Sequence, residues 1–118
     1  EFVGEGVILP ATVISEHCLH LSLGDFCRLH NLPDGHFFDV LVRPDDVIHD
    51  DASPAKARII SKQFRGADFL YTLQLDDGTQ VLSLVPSHHN HQIGEAMGIR
   101  VEFDHLITFG SQHQVKPT

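Results

Sequence analysis

Hydrophobic and polar residues alternate most cleanly between Phe69 and Val85. In FLYTLQL, Phe69, Tyr71, Leu73 and Leu75 share one parity, while Thr72 and Gln74 take the other. Asp76-Asp77-Gly78 follows, a polar run whose glycine can adopt a positive φ. TQVLSLV then supplies β-branched and aliphatic residues, and Pro86 closes the run because it has no N–H for a ladder. The pattern predicts a β-hairpin. Burying the large side chains of one face is worth roughly 6–12 kcal/mol gross, at about 1.5–3 each. Conformational entropy offsets most of that, and a lone hairpin does not stand, so other segments must cover this face.

The same alternation runs through the rest of the chain. Val7 to Ile14 reads as a strand that Pro10 marks as an edge or a bulge. Ser15-Glu16 has the length of a hairpin turn into His17 to Leu23, where Leu19, Leu21 and Leu23 share a side. Gly24-Asp25 turns the chain into a short strand, Phe26 to Leu29, and Asn31 to Gly35 is a loop by composition. Phe37 to Arg43 is a strand that Pro44 ends, and Asp45 to Pro54 is an acidic connector. Ala55 to Gly66 lacks a clean 3.6 period and contains Ile59-Ile60, so strand is favoured over helix. Ser87 to Gly94 reads as a loop. Gly98 to Asp104 is a strand with Ile99, Val101 and Phe103 inward, Leu106 to Phe109 a last short strand, and Ser111 to Thr118 a polar tail. Roughly eight short strands at regular spacing, with no helix, predict an all-β barrel or sandwich.

Length then sets the scale. A chain of 118 residues is one domain and can bury a real core. No run of 18 apolar residues occurs, and the N-terminus lacks the basic start of a secretory signal. The chain opens on Glu1 and its one methionine is Met97, from which we expect a segment of a longer protein. The net charge of −8 argues against nucleic acid and against an anionic membrane surface as partners. Cys18 and Cys27 form no CxxC pair; they are expected to be half-buried thiols in a reducing compartment, with a disulfide between neighbouring strands as the alternative.

Chemistry-bearing patterns are few. No P-loop, GxSxG, HExxH or GxGxxG occurs, and no spacing selects a nucleophile with its base, so no catalytic residue is assigned. His88, His89 and His91 stand in one loop, and neutral imidazoles ligate zinc, nickel or copper. A closed site wants four ligands on a rigid frame, so a polar solvent loop is the expectation, with metal binding the alternative. Lys56, Arg58, Lys62 and Arg65 concentrate half of the basic residues. On a regular strand Lys56, Arg58 and Lys62 would share a face, expected to be a solvated strand face, with reception of an anion or of the acidic connector Asp45–Asp51 as the alternative.

Val42-Arg43-Pro44-Asp45-Asp46-Val47 resembles the signature of TOBE domains, the transport-associated OB-type domains at the C-terminus of ABC importer ATPase subunits. The ARIISKQFRG run, the following hairpin, and Gly94, Met97, Gly98 and Val101 keep that family's order, and Phe2-Val3-Gly4-Glu5-Gly6 is similar to the run where such subunits leave the ATPase domain. The likeness is greatest to ferric-iron importer ATPases. It implies a single OB-like accessory domain over residues 1–118 that helps hold two ATPase subunits as a homodimer, without chemistry of its own. ATP and Mg would belong to an upstream ATPase domain, which would also meet the permease subunits, and the location would be cytoplasmic, on the inner face of the membrane. Arg43, Pro44, Asp45, Gly66 and Gly78 are then structural residues: a rigid φ after a strand, an Asp at 45 or 46 that bonds turn N–H groups, and two glycine turns. The alternative is a stand-alone sensor of a metal or an oxyanion.

Overall fold

The hairpin forms where the alternation places it. In the computed structural model, which describes residues 2–3, 6–27, 37–103 and 106–110, it joins Asp68–Leu75 to Gln80–Pro86. Leu73 faces Val81 and Tyr71 faces Ser83 across the ladder, all four fully buried. Gly78 takes φ +89° in the turn, whose Leu75 N–H donates to Thr79 O at 2.8 Å. The loop Asn31–Gly35 and the tail Ser111–Thr118 lie outside the described residues, as do Gly4, Glu5 and Asp104.

Eleven strands are described, not about eight: β1 Phe2–Val3, β2 Gly6–Ser15, β3 Cys18–Leu21, β4 Gly24–Cys27, β5 Phe37–Val42, β6 Val47–His49, β7 Lys56–Phe64, β8 Asp68–Leu75, β9 Gln80–Pro86, β10 Ala96–Val101 and β11 Thr108–Gly110. Sequence alternation overlooks β1 and β6, which are too short to carry a period of their own. Strand β6 lies inside the expected acidic connector, between Asp45-Asp46 and Asp50-Asp51, and pairs with β10. Pro10 sits in β2 opposite Asp39, where β5 pairs on one side and neither β1 nor β3 reaches the other, so its missing N–H falls at a local edge.

Two sheets with one plan result. The first runs β11-β5-β2-β3-β4, with β1 beside β2, and the second β6-β10-β7-β8-β9. The order β5-β2-β3-β4 is matched by β10-β7-β8-β9, and each half hands its next strand to the other sheet: β6 follows β5 but joins β10, and β11 follows β10 but joins β5. The bulges match as well. The β2–β3 register shifts between Val13 and Ser15, the β7–β8 register between Ile59 and Ser61. The surrounding residues repeat, Ala11-Thr12-Val13-Ile14-Ser15 and Ala57-Arg58-Ile59-Ile60-Ser61, and the extra residues Ile14 and Ile60 both point to solvent.

One core serves both sheets. Val13, Leu19, Val40 and Val42 of the first cluster with Ile59, Tyr71, Leu73, Val81 and Ile99 of the second. Phe26 of β4 meets Phe103, just beyond β10, edge to face at 5.1 Å between centroids. The buried Ser83 hydroxyl of β9 donates to Val47 O of β6 at 2.8 Å, which brings the outer strands of the second sheet together as in an OB-like barrel. Cys18 and Cys27 are directly opposed in β3–β4, Cα atoms 4.1 Å apart, and form a disulfide. This corrects the expectation of two free thiols: strand register, invisible in spacing alone, sets them face to face.

The β8–β9 turn also carries a titrating group. The Thr79 N–H donates to Asp77 Oδ1 at 2.9 Å, and this bond, then the hydroxyls of Thr79 and Ser22, hold the Asp77 carboxyl below its ordinary range. A depressed native pKa stabilises the fold above the unfolded value, and that stability is lost as pH falls through the native one. Asp77→Asn is therefore expected to lower the melting temperature by about 1–4 °C at neutral pH, the site being exposed and screened. The gap should close below about pH 4 in melts followed by circular dichroism. A gap that widens in acid would contradict this.

Candidate functional site

The bulge at Ile60 decides where the basic side chains go. Before it, Lys56 and Arg58 stand on the outer face of β7, while Ala57 and Ile59 enter the core. The extra residue flips the parity, and Lys62 falls opposite Tyr71, Phe64 opposite Phe69. Lys62 is thereby removed from the face of Lys56 and Arg58, which corrects the expected three-residue stripe. Its ammonium lies 4.5 Å from the centre of the Phe69 ring, donates to His91 O at 2.9 Å and bonds the Asn90 side chain. Arg65 stands apart in the β7–β8 turn with Gly66, where its N–H donates to Asp68 O at 2.7 Å.

Lys56 and Arg58 line an open cleft of about 270 Å³ with Ile60, Gln74, Asp76 and Ala96. Lys56 Nζ donates to Asp51 O at 3.1 Å and Arg58 Nη1 to Gly94 O at 2.6 Å. Among the described residues neither cation is paired with a carboxylate. Backbone carbonyls hold both side chains in place without cancelling their charge. The acidic connector, one of the alternative partners of this stripe, meets it through one carbonyl of Asp51.

The histidine loop is held down rather than free. Tyr71 Oη, from the core, donates to His89 O at 3.1 Å and accepts from the His91 N–H at 2.9 Å. His91 and Glu95 pair at 3.0 Å between Nδ1 and Oε2; that bond first, then the Gln92 N–H, keeps the Glu95 carboxyl below the ordinary range. His88 and His89 are exposed with ring centres 4.2 Å apart. His49 of β6, which spacing did not select, stands edge to face with His91 at 5.0 Å and lies 6.4 Å from His89. Among the described residues no three His, Cys, Asp or Glu side chains are already gathered to hold a metal. Beside them lies a second cleft of about 330 Å³, lined by His49, His89, Ile48, Leu84, Val85 and Pro86.

The signature run is a turn. Pro44–Asp46 forms one 3-10 turn between β5 and β6 with Pro44 buried. The acceptor is Asp46, whose Oδ2 takes the Arg43 N–H at 2.9 Å, while Asp45 is exposed. Asp46 O accepts from the Glu102 N–H at 2.8 Å, tying the turn to the end of β10. The turn thus directs the chain from one sheet to the other.

This two-sheet, strand-exchanging fold has counterparts. Residues 40–109, more than half of the chain, match the TOBE domain family, and the chain belongs to it. Among solved structures it is similar to the cytoplasmic molybdate-binding protein ModG, crystallised with molybdate bound, at a TM-score of 0.71 and 13% identity over 94% of this chain and 100% of that one. No curated protein matches in sequence. At that identity the likeness to ModG shows the fold. Among the described residues no helix is long and apolar enough to cross a membrane.

Proposed function

We propose that this TOBE domain binds a small oxyanion, and that the Lys56–Arg58 cleft receives it. The observation that carries the reading is the pair of cations on one strand face, anchored by carbonyls and not neutralised. A guanidinium presents two parallel donors to two oxygens of a tetrahedral anion, and an ammonium adds a point charge. On a chain of net charge −8 such a local exception to the surrounding field is what an anion needs. The molybdate held by the structural neighbour ModG supports the ligand class. Asp76 on the cleft wall works against a fully ionised ligand.

Thermal melts with molybdate, sulfate and phosphate test this. An anion at a hundredfold over its Kd adds about 2.7 kcal/mol, roughly 8–14 °C for a domain this size. Arg58→Gln should abolish the shift and Asp76→Asn should enlarge it. No shift with any of these anions at millimolar concentration would sink the reading.

A second reading is that the domain serves as the C-terminal regulatory and dimerisation domain of an ABC importer's ATP-binding subunit. The Val42–Val47 run and the order of segments after it support it, and anion binding would then be its regulatory input. Nothing in the fold bears on ferric iron. Light scattering tests the second reading: a dimer supports it, whereas a monomer that still melts higher with the anion leaves the oxyanion reading alone.

A further inference from the structure

We infer that His49, His91 and His89 form a site for a borderline transition-metal ion such as Zn(II), Ni(II) or Cu(II). Each of the first two imidazoles is already oriented as a ligand would be. Ligating histidines almost always give one ring N–H to a carboxylate and keep the other nitrogen for the ion. His91 Nδ1 is committed to Glu95 Oε2 at 3.0 Å, and His49 Nε2 to Asp51 Oδ1 at 2.7 Å. This leaves His91 Nε2 and His49 Nδ1 as the available nitrogens. Among the described residues His91 Nε2 is buried with no hydrogen-bond partner, and a buried unpaired nitrogen in a native fold calls for an explanation, of which a bound ion is one.

Spacing agrees with the chemistry. With metal–nitrogen bonds of about 2.0–2.1 Å, two imidazoles on one tetrahedral ion have ring centres about 5 Å apart. His49 and His91 stand at 5.0 Å, within this spacing, while His89 lies 6.4 Å from His49 and must move closer to join. The two-histidine pair is preorganised, and the third donor is delivered when the exposed His89 ring turns. His49 and His89 line the 330 Å³ cleft, which opens the site to solvent on their side. Lys62 and Tyr71 fix the loop from below through its carbonyls and the His91 N–H, which holds His91 in place against His49. The bulge that withdraws Lys62 from the oxyanion face is what places it under this loop.

The test is calorimetric titration of tag-free, chelator-treated protein with Zn(II), with imidazole nitrogen shifts recorded by NMR on the wild-type chain. We expect saturable one-to-one binding that moves the ring nitrogens of His49 and His91. His49→Ala and His91→Ala should each weaken it by about tenfold or more, and Glu95→Gln by about tenfold through loss of orientation, while His88→Ala stays within about twofold. Arg58→Gln should leave zinc affinity unchanged, so this site and the oxyanion site fail separately. Absence of saturable binding overturns the proposal. So do shifts confined to His17, His20 or His88, a readout that holds even if a variant misfolds.

Discussion

Leu73→Asp will abolish cooperative melting. Leu73 is fully buried in the middle of β8, paired with Val81 on one side and Ile59 on the other. Truncating such a leucine costs about 2–5 kcal/mol in lost transfer energy and residual cavity. The aspartate adds a carboxylate with no partner in an apolar core, a further penalty of several kcal/mol whether it stays charged or takes up a proton. The sum approaches or exceeds the 5–15 kcal/mol that holds a typical domain together. Gln74→Asp, one residue along on the outer face, should cost no more than about 1 kcal/mol. Urea titration of both variants decides the matter. A Leu73→Asp protein that melts cooperatively within a few degrees of wild type would mean the inward face of the hairpin has been misassigned.

That inward face was legible because the hairpin keeps a period of two from Tyr71 through Leu75, although Leu70, on the other parity, is buried as well. Ala55 to Gly66 was legible as a strand because it lacks a helical period and contains Ile59-Ile60, but its faces were not. Counting parity from Lys56 places Lys62 beside it; the bulge at Ile60 undoes that count, and a bulge leaves almost no mark on composition. One mark was present. ATVIS at 11–15 returns as ARIIS at 57–61, and the repeat aligns the two bulges and predicts two halves of one plan. Other features depend on contacts between distant segments. His49 belongs with the histidine loop only because β6 crosses to the second sheet, and Cys18 meets Cys27 only because of the β3–β4 register. The sequence offered His88, His89 and His91 together as one loop, whereas the structure puts His91 with His49 and leaves His88 exposed.

Gly98→Ala should be the most damaging single-methyl change in the second sheet. A Cβ at this position would lie 2.3 Å from Asp50 O and 3.1 Å from Lys56 Nζ. The carbonyl cannot retreat cheaply. Asp50 O accepts from the Ser53 N–H at 3.0 Å, and Asp50 N–H donates to Gly98 O at 2.8 Å. The Ser53 hydroxyl in turn donates to Ile99 O at 2.5 Å, so the whole segment is clamped onto β10. Overpacking against backbone costs about 1–3 kcal/mol, and each clamp bond lost adds about 0.5–1.5. We expect a loss of about 3–5 kcal/mol, roughly 10–20 °C in melting temperature. Gly78→Ala is the informative contrast: φ there is +89° and the space around it is open, so only backbone strain of about 1 kcal/mol is expected. Lys56 also lies across Gly98, so the added methyl should weaken anion binding at the cleft as well as stability. If Gly98→Ala melts like Gly78→Ala, the close approach of Asp50 to β10 is wrong. If it loses stability but keeps full anion affinity, Lys56 is not a ligand of the anion.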